Sequence, residues 1–500
     1  MREVTPSAIA AGVTADTHDQ NMSIRGLRLI WVSIFLLALI HGGLYASLLP
    51  PWGLIDEEHH VHYIQYVAEQ KALPLAGETY LSREIIDSLF ATHRWETFHW
   101  PTPPSRDPQD LGLEAHSYES YHPPLFYVLL APLYAVLPGG MLAKLYYLRW
   151  AMVALSLLTV WMTYRIASEL FPHYRALPYL TCLLLVVIPE RTAAVSRVNN
   201  DVLLEVIGAA FAWVSTRAML KGLSVRKSQM LGLLLGLGML TKMSMVVLAS
   251  ILAFVFWTHR RSSDLMACAL WTAGLATSMV LPLVLRNLRL YGDLTGFAAF
   301  KDLNDAFGAF SPVDITWRSL VAATWDLFRH YWVVWWKGAS VGANSVLTAL
   351  YAVLALLSGV SLATVLRRLQ QNWKARKQSR QEQVIAMYLI GVAAYALAIL
   401  VGYFDGRIPV IQGRFFLPVI VPMVILFAWG LQRSFGGKNL LSSSLVIVLT
   451  VDALSLFGNL LLYFYYWSAF TTNGSPSHAQ LGWRDAANLF LTRFLSDKPP

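Results

Sequence analysis

The chain has 500 residues, 56% of them hydrophobic and only 14% charged, with a mean hydropathy of +0.48. Apolar runs return repeatedly at the ~20 residues a helix needs to cross the hydrocarbon core of a bilayer, which excludes a soluble globular protein, and no short alternating strands point to a barrel. The net charge of +9 is not a nucleic-acid signal, because much of the Lys and Arg sits in short loops between the runs, where it orients a membrane protein.

In chain order, residues 1–26 are polar and lack an apolar core followed by a cleavage site, so they are expected to form a cytoplasmic tail ahead of a retained first helix. Helices are expected over 27–49, 145–166, 176–190, 201–219, 228–241, 243–257, 264–286, 344–366, 384–403, 415–432 and 439–466, about eleven spans in one all-α polytopic membrane domain, 27–466. Residues 50–144 make a long first loop, 287–343 a later one, and 467–500 a short tail. Within the loops, "HPPLFYVLLAPLYAVLPGG" is short and Pro-rich for a span, and "TWRSLVAATWDLFRHYWVVWWKG" is dense in Trp; both suit the headgroup zone. Cys182 and Cys268 fall in apolar runs and read as small packed residues.

Charge decides the orientation. Arg25/Arg28, Arg165/Arg175, Arg217/Lys221/Arg226/Lys227, Arg260/Arg261, the run from Arg367 to Arg380, and Arg433/Lys438 mark alternate connections, which the positive-inside rule places in the cytoplasm. The run from Arg367 to Arg380 reads as a solvated loop, with anionic headgroups as an alternative contact. Both long loops, "SRVNND" at Asp201, "TK" at Lys242 and "GYFDGRIPVIQGR" then face the other side.

The densest polar cluster follows the first span, in "PWGLIDEEHHVHYIQY". A helix restarting near Asp56 would put Asp56 and His60 on one face, and Glu58 and His62 on another. Capping and solvated charge explain such a cluster as readily as a zinc site, whose spacing matches no defined motif, or a catalytic carboxylate. Lys242 lies between two apolar runs without an acid beside it in sequence, a costly place unless it meets an anion. Asp201 could equally cap its helix, and Arg286 and Arg289 could snorkel from a helix end.

"DEEHHVHYIQYVAEQKALP" resembles the opening of the first external loop in GT-C fold, polyprenyl-phosphate-sugar-dependent membrane glycosyltransferases. That class includes the protein O-mannosyltransferases and the transferase adding aminoarabinose to lipid A. "YHPPLFYVLLAPLY", "SRVNNDVLLE", "GLLLGLGMLTKMS", "LRNLRLYGDLTG" and "QGRFFLPVIVP" resemble further pieces of that class, in the same order, over about residues 27–430. The resemblance implies a GT-C fold and an inverting transfer of a hexosyl or pentosyl group from a polyprenyl-phosphate donor to a glycan, lipid or protein acceptor. It implies Asp56 as base, supported by Glu57 and Asp201. The donor phosphate would meet His122, Lys242, Arg286, Arg289, Arg407 and Arg414, and the substrates would lie against His60, Tyr63, Tyr121, Tyr127 and Tyr291. His122 departs from the Lys of some relatives. Some relatives hold a divalent cation (Mg, Mn or Zn) between their acidic sites, for which Asp56, Glu57, His60 and Asp201 are the candidates. Glu58, His59 and His62 fall outside the pattern and are expected to face water. The expected setting is a bacterial inner membrane with the site on the periplasmic face. The partners expected are membrane lipid and the lipid-linked sugar, with no nucleic acid and no obligate protein. The competing readings are a lipid-linked substrate transporter or flippase, and a polysaccharide ligase or polymerase.

Overall fold

The structure is a computed structural model that describes residues 24–52, 56–97, 102–306, 312–332, 345–375, 378–408, 410–434 and 437–471. Most of the N-terminal tail, the Trp-rich end of the later loop and most of the C-terminal tail therefore lie outside the described residues.

Each of the eleven apolar runs contains helix. Among the described residues, eight helices are long and apolar enough to cross a membrane: Arg28–Leu48, Met141–Leu170, Asp201–Lys221, Leu265–Tyr291, Ala349–Lys374, Arg380–Phe404, Gly413–Arg433 and Asn439–Phe457. The other three runs are shorter or broken. The run expected over 176–190 is two helices, Leu177–Val186 and Pro189–Val195, bent by 65°. Pro189 causes the break: it cannot donate to the preceding turn, but it suits the first position of a new helix. Val225–Thr241 has 17 residues, and Met243–Thr258 opens with a 3₁₀ turn.

Two spans form the centre of the bundle. Asp201–Lys221 and Gly413–Arg433 are 72% and 78% buried over their most apolar windows, against 22% for Leu265–Tyr291. They meet at Gly208, where a Cβ would lie 2.3 Å from the Pro418 carbonyl oxygen, so only a residue without a side chain permits the approach. Buried polar groups tie distant spans together. His41 Nε2 lies 2.8 Å from Asp452, which also accepts from the Tyr45 hydroxyl at 3.1 Å, joining the first span to the last. Arg191 in the broken segment donates to Glu205 in the central span at 2.8 Å.

The first loop is a packed unit with its own core, built from Trp52, Ile64, Ile85, Leu89, Trp95 and Phe126 among others. Its helix Glu57–Gln70 lies along the short helix Leu125–Val136, which turns Phe126, Tyr127, Ala131 and Tyr134 inward and leaves Val128, Leu129 and Val136 bare. That half-dressed helix is the segment read from sequence as too short to span. Cys182 and Cys268 are buried free thiols, as their apolar setting suggests.

Candidate active site

The loop core turns the Glu57–Gln70 helix so that almost none of its first turns meets solvent. Glu58 and His59 are fully buried and His62 is 3% exposed, which overturns the expectation that these three face water. The cause is tertiary: Arg94, Glu114 and Ser117 close over that side, with Ser117 Oγ 2.9 Å from His62 Nδ1. Burial lowers the pKa of His62 to about 4 and, against the pull of Glu119, that of His60 to about 3, so both are neutral imidazoles at neutral pH.

Asp56 precedes this helix with φ +77°, a left-handed conformation that Asp accepts more readily than most residues. It caps nothing. One carboxylate oxygen accepts from the Tyr118 hydroxyl at 2.7 Å and the other from Arg414 at 2.9 Å. Burial, and then the Glu119 charge, raise the Asp56 pKa, and the opposing pull of Arg414 and Tyr118 does not cancel them.

Arg414 is the hub. Its second terminal nitrogen lies 3.9 Å from Asp201, and Asp201 meets Lys242 at 2.6 Å. Acid and base thus alternate, Asp56–Arg414–Asp201–Lys242, across the loop and the ends of three helices far apart in sequence. Lys242 finds in Asp201 the anion its own neighbourhood lacks, and Asp201 spends its carboxylate on cations rather than on capping; Asn199 Oδ1 instead takes the Asp201 backbone N–H. Gly413 makes the hub fit: a Cβ there would sit 2.1 Å from the His330 carbonyl oxygen.

Beside this chain lies a second cluster. Glu119 holds His122 Nε2 at 2.7 Å and lies 3.9 Å from His60 Nε2. The two imidazoles are parallel within 6°, and His60 Nδ1 is 2.8 Å from the Tyr127 hydroxyl. Burial works against ionising Glu119, but His122 and then His60 outweigh it and hold its carboxyl below the usual range. Tyr63 stacks on Tyr127 at 3.7 Å, and Tyr121 packs against His122 and Phe300.

Glu57 points the other way. Both of its oxygens accept from Arg149, at 2.9 and 2.5 Å, and one also takes the Val198 N–H at 3.0 Å. Arg149 spends its remaining donors on the carbonyls of Ala46, Leu49 and Pro50. Glu57 is therefore a clamp between the first span, the second span and the loop, turned away from Asp56's partners.

Other expected site residues lie apart from the four-residue chain. Arg286 reaches the Pro74 carbonyl at 3.5 Å, and the Tyr291 hydroxyl accepts from the Ala76 N–H. Arg289 is exposed. Arg407 pairs with Asp405 at 2.5 Å and lines a separate pocket of about 440 Å³ with Phe297, Lys301 and Asp305. The metal set also disperses: Asp56 goes to Arg414, Glu57 to Arg149, His60 to Tyr127 and Asp201 to Lys242, and no three of them converge. Among the described residues the group that does converge is Glu58, His59 and Glu114, with ligand atoms within 4.8 Å of one another.

Sequence inspection passes over Arg149, Tyr118 and Glu119. Arg149 did carry a signal, a lone charge inside an apolar helix, which is costly unless partnered. Tyr118 and Glu119 carried none, since a loop "YES" resembles any solvated turn.

Residues 121–285 match the family described as dolichyl-phosphate-mannose-protein mannosyltransferase. A search of curated proteins finds no match. Among solved structures, ArnT from Cupriavidus metallidurans, bound to undecaprenyl phosphate, superposes with a TM-score of 0.50 at 12% identity, covering 93% of this chain and 72% of that one. The Archaeoglobus fulgidus oligosaccharyltransferase, in complex with zinc and sulfate, gives a TM-score of 0.44 at 12% identity, covering 93% of this chain and 57% of that one. In span pattern, fold and matched central segment, the chain is an integral membrane protein with the GT-C fold and resembles the polyprenyl-phosphate-sugar-dependent glycosyltransferases.

Proposed function

We propose that the protein is an inverting glycosyltransferase that moves a sugar from a polyprenyl-phosphate donor to an acceptor hydroxyl or amine at the extracytoplasmic face of the membrane. The observation that carries this is Arg414 spanning Asp56 and Asp201, with Lys242 beside them. Such a reaction needs a buried base and a cation within one step of each other, at the depth of a lipid phosphate.

Asp56 takes the acceptor's proton as the acceptor attacks the anomeric carbon. The bond from that carbon to the phosphate oxygen breaks, and the polyprenyl phosphate leaves with the electron pair. Arg414 and Lys242 receive the charge on the departing phosphate, and Arg414 suits it because its planar fork can hold two oxygens at once. Before donor binds, both cations are held by Asp56 and Asp201, so the incoming phosphate draws them off the acids and frees Asp56 for its proton. The raised pKa of Asp56 makes it a stronger base than a solvated carboxylate. Glu57 and Arg149 position Asp56 rather than touch substrate. The basic loops at the opposite ends of the spans support a site outside the cytoplasm, which in a bacterial inner membrane is the periplasmic side.

The test is incubation of the purified protein with polyprenyl-phosphate sugars, following release of polyprenyl phosphate. Release that disappears in Asp56→Asn supports the assignment. Undiminished release in Asp56→Asn removes Asp56 as the base.

A further inference from the structure

We propose that Glu58, His59 and Glu114 form a zinc site in the wall of the first loop, behind Asp56. The site stands independently of the glycosyl-transfer reading.

The three residues are spaced as the ligands of one ion would be. Glu58 and His59 open the Glu57–Gln70 helix, and Glu114 comes from the 3₁₀ turn Gly112–Ala115, so the residues converge from two segments. Their ligand atoms all lie within 4.8 Å of one another. His59 Nε2 is 3.8 Å from Glu58 Oε1, too long for a hydrogen bond. Two tetrahedral ligands each about 2.1 Å from one zinc ion lie roughly 3.4 Å apart, close to this separation.

A second observation is independent of that spacing. His59 is fully buried, yet neither ring nitrogen has a hydrogen-bond partner, and Glu58 Oε2 is equally buried and unbonded. Buried polar atoms are ordinarily satisfied, and these belong to two of the three residues whose ligand atoms come together. Arg94 pairs with Glu58 Oε1 and comes within 3.2 Å of Glu114, but Glu58 Oε2 and the His59 imidazole are left without a hydrogen-bond partner. A divalent cation satisfies both needs. One nitrogen and two carboxylate ligands suit zinc, leaving a fourth position for solvent, whereas magnesium demands an octahedron of oxygens.

The ion would also bear on Asp56. The His59 ring packs on Tyr118 with centroids 3.8 Å apart, and the Tyr118 hydroxyl donates to Asp56. Fixing His59 fixes Tyr118, and Tyr118 fixes one lone pair of Asp56. The ion is thus a positioning element, away from the reacting atoms.

The full-length protein, stripped with chelator, loaded with zinc sulfate and exchanged into metal-free buffer, is assayed by elemental analysis. About one zinc per chain is expected in the wild type, falling at least tenfold in His59→Asn and in Glu114→Gln. A wild type without zinc, or variants that keep it, overturns the proposal; the latter is what adventitious surface binding would give. Should the variants not fold, zinc-edge X-ray absorption on the wild type decides. One nitrogen ligand with oxygens near 2.0–2.1 Å supports the site, and a shell with no imidazole or with several overturns it.

Discussion

Arg149→Met tests the clamp that sets Asp56 in place. The substitution leaves Glu57, 1% exposed, as a buried carboxylate with no cation, and strips the guanidinium from the carbonyls of Ala46, Leu49 and Pro50. Breaking a buried ion pair from one side costs about 3–5 kcal/mol, and each orphaned carbonyl adds about 1 kcal/mol. The loss is then about 6–8 kcal/mol, comparable to the whole folding stability of an ordinary domain. Thermal unfolding in detergent should fall by at least about 5 °C. Hydrogen exchange should accelerate first at the end of the first span and the start of the Glu57–Gln70 helix, the two segments Arg149 joins. Replacing both partners, Arg149→Met with Glu57→Met, should recover more than half of the loss, because no charge is then left unpaired. A single variant that melts within about 1 °C of the wild type would refute the reasoning, as would a double variant no better than the single.

Other outcomes follow from the same geometry. Asp56→Asn should keep the melting temperature within a few degrees while lowering polyprenyl-phosphate release by about 10²-fold or more. Activity needs Asp56 deprotonated, so it should rise with pH through a pKa above the ordinary carboxylate range, since burial and Glu119 raise it. Glu119→Gln removes a raising charge and should move that acid limb to lower pH, whereas Arg414→Gln removes a lowering one and should move it higher; shifts of the same sign would rule out the charge assignment. Lys242→Met should raise the KM for the lipid-phosphate donor more than it lowers kcat, and an unchanged KM would take Lys242 out of phosphate binding. Gly413→Ala must push the His330 carbonyl aside, and because that displaces the neighbouring Arg414 it should cost donor affinity as well as stability.

The sequence by itself determined the class of molecule and the line of its spans. Runs of bilayer length declare membrane helices because a helix meets its backbone hydrogen bonds locally, whatever packs around it. The resemblance to the GT-C transferases singled out Asp56, Asp201, Lys242 and Arg414 together with Glu57, His122, Arg286, Arg289 and Arg407, and the cost of a charge between two apolar runs spoke for Lys242 in addition. What it could not show is which charge meets which. Arg414 reaches Asp56 across more than 350 positions of chain, and only the packing of the central spans at Gly208 and Gly413 brings them together. The same holds inside "DEEHHVH". Those residues look equally polar on paper, but the loop core buries Glu58, His59 and His62 with the rest and gives each different surroundings. Asp56 receives Arg414 and Tyr118, Glu57 receives Arg149, and His60 receives Tyr127. Burial and partner decide the chemistry of a carboxylate or an imidazole, and both are properties of the tertiary structure, not of local sequence.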